Sequence, residues 1–216
     1  MAEYRLHCFP ESGNAYKAAL MLALCGADWE PVFIDYATGI TRGGDWRDAN
    51  NEMGEAPILE HGSVRLTQSG VILQYLSEQF GKFGSDSAEG QREILRWLLF
   101  DNHKFTSYFA THRALNCIVP AEPDPAVMAF LRTRAEAAFG VVEKRLSNRD
   151  FIIGAKPTIA DISMAGYLYY PQEETRFDLA GDYPNISRWA ARIGQLDGWQ
   201  GPYDLMPGTK IPRRKA

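Results

Sequence analysis

Across the first eighty residues, short apolar, β-prone runs alternate with longer runs of helix formers, and after residue 88 the strand signal largely disappears. This switch constrains the fold more than any other feature. It requires a small sheet with helices packed on it, followed by a bundle made of helices alone. The spacing predicts strands over 4–9, 31–35, 57–60 and 63–66 and helices over 14–25 and 69–80, with a polar, Gly-rich loop reaching Asn51. Gly81 follows the second helix as a left-handed C′ residue would, and Gly84-Ser-Asp-Ser87 reads as a linker. Two domains are expected, 1–81 and 88–216.

In the second part, Ile94, Trp97, Leu98, Phe105, Tyr108 and Phe109 recur at helical spacing between Glu89 and Ala114. Asp124-Pro125 supplies a cap and a first-turn proline for a further helix. Thr158-Ile-Ala-Asp161 has the form of a capping box, and Pro184 opens a helix carrying Ile186, Trp189, Ile193 and Leu196. With 45% hydrophobic residues in 216, the chain has enough apolar material for real cores. A formal charge of −4 without a basic stripe argues against a nucleic-acid partner; the one basic cluster, Pro-Arg-Arg-Lys at 212–215, reads as a frayed terminus. No run approaches the roughly 18 apolar residues of a membrane span, and nothing near Met1 reads as a signal peptide. Cys8, Cys25 and Cys117 stand at scattered spacings and are expected to be reduced thiols of a cytoplasmic protein, with Cys8 and Cys25 in the core. Neither a Ser/His/Asp arrangement, a metal-ligand spacing nor a glycine-rich phosphate loop is present, which argues against hydrolase and nucleotide chemistry.

Two stretches carry chemistry. Ser12 and Asn14, within Glu11-Ser-Gly-Asn-Ala-Tyr-Lys17, stand between the first strand and the first helix, where free backbone N–H groups and the positive end of the macrodipole favour an anion. A plain N-cap role suits the same residues. Ala56-Pro57-Ile58-Leu59 and Val64-Arg65-Leu66 flank a Gly62 turn as a hairpin, with Pro57 where a strand begins. A cis bond there would turn the Ile58 backbone outward and free its N–H and C=O to pair with a peptide ligand; a trans, edge-strand proline is the competing reading. Gln68-Ser69-Gly70 opens the next helix and forms either a carboxylate-binding device or, again, a simple cap.

Hydroxyl-x-Asn before the first helix, Asn51-x-Met-Gly-x-Ala-Pro-Ile-Leu59, and Thr67-Gln-Ser69 together resemble the N-terminal domain of cytosolic glutathione transferases, and the resemblance extends over nearly the whole chain. The Ser-Gly-Asn-x-Tyr-Lys segment looks most like bacterial members. The resemblance implies a thioredoxin-like α/β domain that binds glutathione and an all-α bundle holding an electrophile. It also implies a homodimer with a role in detoxification, glutathione as co-substrate and no metal. Ser12 with Asn14 would contact the glutathione sulfur, Ile58 after cis-Pro57 would pair with the cysteinyl backbone, and Gln68 and Ser69 would hold the γ-glutamyl end. A thiol ionises near pH 8.5, so such a site must lower that value by about one to two units, within reach of one or two charge-assisted hydrogen bonds plus the helix dipole.

Departures from the family pattern shape the remaining expectations. Gln68 stands where many members carry Glu, so the γ-glutamyl ammonium meets a neutral amide. Glu55 replaces a Lys or Gln and cannot bind the glycyl carboxylate, which leaves Arg42 for that task. No Cys lies between Glu11 and Lys17, which argues against members using a catalytic cysteine, and Tyr4 sits too early to be a catalytic tyrosine. Asp101, with Asn102, interrupts an apolar stretch of the long helix and is expected to reach a neighbouring subunit's ligand with the charge that Gln68 lacks. Tyr108, Phe109, His112 and Arg113 are either the wall of the electrophile site or core. Conjugation of the glutathione thiolate to small apolar electrophiles is the expected activity. Glutathione-dependent disulfide reduction and a non-catalytic transferase-like binding module are the alternatives.

Overall fold

The computed structural model describes residues 2–206 and 208, and the basic 212–215 cluster lies outside the described residues. The chain forms two compact units, the first running to Lys82 and resuming at Asp197, the second spanning Phe83–Leu196. The domain division expected from sequence is thereby corrected at its far end, because the stretch after Asp197 packs with the first unit instead of the helices. Tyr16 Oη donates to the Gln200 carbonyl at 2.7 Å. Gly198, at φ +86°, passes so close that a Cβ would stand 2.5 Å from the Ala23 carbonyl oxygen. Only glycine combines that backbone conformation with that approach.

The first unit is built on a mixed sheet of order β2-β1-β3-β4, comprising β1 (Tyr4–Cys8), β2 (Trp29–Phe33), β3 (Ile58–His61) and β4 (Val64–Thr67). β1 and β2 run parallel, joined through α1 (Gly13–Cys25), while β3 and β4 are antiparallel neighbours. α1 is apolar on nearly every side and almost wholly buried, as befits a helix enclosed by its surroundings. Pro31 lies inside β2, two residues later than the strand starts; an edge strand tolerates its missing N–H. β3 begins one residue after the predicted start, which leaves Pro57 outside it. The expected loop contains three short turns of helix, Tyr36–Thr38, Ile40–Arg42 and α2 (Gly44–Ala49), too brief to show periodicity. α3 (Ser69–Phe80) ends at Gly81 in the left-handed conformation. Across one sheet face Arg5 bonds Glu30 at 3.1 Å and Glu60 at 3.0 Å, and Arg65 meets Glu60 at 2.7 Å. The row follows the strand register and reinforces it.

The second unit opens with α4 (Ala88–Phe100), capped by Ser87 Oγ on the Gly90 N–H at 3.0 Å. Helical backbone continues through a wide π turn, Asp101–Phe105, then α5 (Thr106–Arg113) and a second π turn, Ala114–Ile118. α6 (Pro125–Arg145), α7 (Ile159–Ala165), the short α8 (Gln172–Thr175) and α9 (Leu179–Asp182), and α10 (Pro184–Ile193) complete it. Its centre is aromatic: the Phe139 ring lies 5.0 Å from Phe105, 5.1 Å from Phe109 and 5.4 Å from Phe177. Asp161 does more than close the capping box with Thr158. It also accepts from the Ile152 N–H at 2.8 Å and Trp189 Nε1 at 2.9 Å, tying the loop before α7 to α10.

Candidate active site

In the sheet register His7 of β1 faces Ile58 of β3, and Ile58 faces Thr67 of β4. The chain beyond β1, the chain before β3 and the chain after β4 therefore leave the sheet at one end. That end carries Ser12, the Pro57 turn and Gln68.

Ser12 has extended backbone and caps α1, its Oγ accepting from the Ala15 N–H at 3.1 Å. The capping role is thus real, yet a hydroxyl that accepts one bond still has a proton to donate. Among the described residues nothing accepts it. Asn14 follows on the first turn, with Oδ1 enclosed and without a hydrogen-bond partner among the described residues. Nδ2, the donor of that amide, meets no acceptor among the described residues. Cys8 is buried and Cys25 half-buried; burial pushes their thiols up to about 12 and about 11, so neither serves as a nucleophile near neutral pH.

The Ala56-Pro57 bond is cis. Ile58 is fully buried and has a strand neighbour on each side, so the outward-turned backbone expected of it is not there. Pro57 has no N–H, and the nearest residue with both backbone groups outside the ladder is Ala56. Buried Asn51 shapes the preceding loop: its Nδ2 donates to the Glu55 carbonyl at 2.8 Å, and its Oδ1 accepts from the Met53 N–H at 3.1 Å. Gln68, at φ +66°, precedes α3, and its Nε2 donates to Glu55 Oε2 at 2.9 Å. Ser69 is the buried first residue of that helix. Arg42 is exposed at the end of its turn, with no ion pair among the described residues.

Most of the candidates in the second unit are core. Asp101 is fully buried, accepting from Thr106 Oγ1 and, at 2.6 Å, from Ser163 Oγ. It presents no carboxylate to a neighbouring molecule, which corrects the role expected of it; Asn102 beside it is exposed. Phe109 packs in the aromatic centre, and Arg113 donates from Nε to Glu174 Oε2 at 2.9 Å under the Tyr170 ring. His112 is buried against Phe177, with Nδ1 lacking a partner among the described residues. Tyr108 alone of the four remains partly exposed, edge-on to Phe130 with Lys104 beside it. An interrupting Asp or Arg in an apolar helix signals a buried polar link as readily as a surface one. The link between Glu55 and Gln68 had no signal in sequence, since it joins two loops thirteen residues apart. Among the described residues no group of three His, Cys, Asp or Glu side chains comes together to hold a metal, and no helix is long and apolar enough to cross a membrane.

A small mixed sheet flanked by helices, followed by an all-helical unit, is the thioredoxin-like architecture of glutathione transferases. Residues 2–78 match the family model "Glutathione S-transferase, N-terminal domain", and residues 105–197 match "Glutathione S-transferase, C-terminal domain". The chain belongs to the glutathione transferase family. Glutathione S-transferase F14 of Arabidopsis thaliana is 24% identical, over 98% of this chain and 89% of its own. A possible glutathione S-transferase from Rhodopseudomonas palustris superposes with a TM-score of 0.84 at 29% identity, covering 96% of this chain and 91% of that one. A family member from Pseudomonas fluorescens Pf-5, solved with two glutathione molecules bound, shares the fold at a TM-score of 0.80 and 20% identity, over 91% of this chain and 90% of the other.

Proposed function

We propose that the protein conjugates the thiolate of glutathione to small apolar electrophiles. The observation that carries this reading is the Ser12 hydroxyl, held at a helix start by the Ala15 N–H with its proton uncommitted among the described residues. It donates to the glutathione sulfur, with Asn14 Nδ2 and the helix dipole assisting, and the thiol ionises at lower pH as a result. The thiolate then attacks an electrophilic carbon, forming the C–S bond as the leaving group departs. The Ser-Gly-Asn-x-Tyr-Lys form of this segment marks a bacterial-type member. Ala56 takes the backbone pairing with the cysteinyl residue, beside cis-Pro57. Gln68, Ser69 and the free N–H groups of α3 hold the γ-glutamyl end, and Arg42 takes the glycyl carboxylate. Tyr108 offers the second unit's accessible ring to the electrophile. The protein acts in the cytoplasm, as a homodimer, in detoxification.

Ser12→Ala tests the reading. Conjugation of an aryl halide should fall about tenfold or more, equivalent to roughly 1.4 kcal/mol of lost thiolate stabilisation, while retention on immobilised glutathione persists. The absorbance of the bound thiolate, followed against pH, measures the cause directly. An unshifted thiol pKa in the variant would move the role to Asn14 or to the backbone.

A further inference from the structure

Gln68 holds its amide in one orientation. Nε2 lies 2.9 Å from Glu55 Oε2 and 3.0 Å from Met53 Sδ, both of which only accept, so the nitrogen faces them. Oε1, on the other branch of the planar amide, is turned away, and no described residue donates to it. The backbone of Gln68 is in a conformation that residues with a Cβ rarely adopt, as happens where surroundings fix a group for a purpose. The Glu55 carbonyl is anchored by Asn51, and its exposed carboxylate forms no ion pair among the described residues. An uncompensated negative charge thus sits against the nitrogen of an amide whose carbonyl oxygen has no donor among the described residues.

We propose that Glu55 and Gln68 together form a cation-recognition unit that selects thiol peptides carrying a free α-amino group. Glu55 supplies the charge that a Glu at position 68 would have supplied, and its hydrogen bond aims Gln68 Oε1 at the ammonium. The inference rests on the reading of Gln68 and Ser69 as the γ-glutamyl site. There the α-carboxylate meets the N-terminus of α3 while the α-ammonium meets the Glu55–Gln68 unit. The charge expected of buried Asp101 is present instead on a loop of the first unit.

Calorimetric titration with glutathione and with glutaryl-cysteinylglycine, which keeps the carboxylate but lacks the α-amino group, tests this. Glu55→Gln retains an oxygen to hold the Gln68 amide and removes only the charge. It should weaken glutathione about threefold to tenfold and leave the glutaryl peptide unchanged. Adding Gln68→Glu to that variant should restore the affinity for glutathione. Equal loss for both peptides, or none for glutathione, overturns the proposal while the γ-glutamyl site stands. A wild-type protein that binds neither peptide overturns the site and the proposal together.

Discussion

Arg113 and Glu174 are both 1% exposed, and they neutralise each other in the aromatic interior of the second unit. Removing one partner leaves a buried charge without its counterion. Arg113→Leu or Glu174→Leu should therefore cost about 3–5 kcal/mol in urea unfolding, whereas Arg113→Met combined with Glu174→Leu should recover most of it. His112, next in sequence, has its pKa held below the ordinary 6.5, first by burial and then by the nearby positive charge of Arg132. A histidine harder to protonate in the folded than in the unfolded state gives its full stability above the unfolded value and loses it as pH falls. Stability should decline as pH falls through the ordinary histidine value of about 6.5, and thermal melts of His112→Leu should show a shallower decline. Residue identity alone did not reveal these roles. His112 and Arg113 sit at helical spacing with Tyr108 and Phe109, and which of them face inward depends on where α6 and α8 pack, not on the α5 sequence.

α1 places Ser12 in two roles at once. The same Oγ that is proposed to donate to sulfur also caps the helix, so Ser12→Ala should lower stability by about 1 kcal/mol alongside its effect on conjugation. Ser12→Gly, which preserves capping better, should lose the activity with a smaller drop in thermal midpoint, and comparing the two separates chemistry from helix stability. The first helix, the hairpin around Gly62 and the helix from Ser69 were all legible, because caps, glycine turns and runs of helix formers act locally. β2 starts two residues before the strand expected over 31–35, with Pro31 inside it. Its tolerance inside a strand depends on the edge position, which only the assembled sheet defines. The same limit explains Ile58: its burial follows from having β1 on one side and β4 on the other.

For the whole molecule, the proposed homodimer draws support from Leu95 and Leu99, one turn apart on α4 and 55% and 61% exposed. Leu95→Glu with Leu99→Glu should shift sedimentation from dimer to monomer, and an unchanged coefficient would remove α4 from the interface. Truncation after Leu196 should destabilise the first unit, since it deletes the Gln200 carbonyl that Tyr16 bonds and the Gly198 passage against Ala23. This return of the chain also sets an order of events during synthesis. About 115 residues separate Lys82 from the stretch that completes its unit. At about 5–20 residues per second a ribosome needs roughly 6–23 seconds to deliver them. Throughout that interval α1 stands uncovered where Gly198 and Gln200 will pack, and the first unit, although translated first, is the last to be finished.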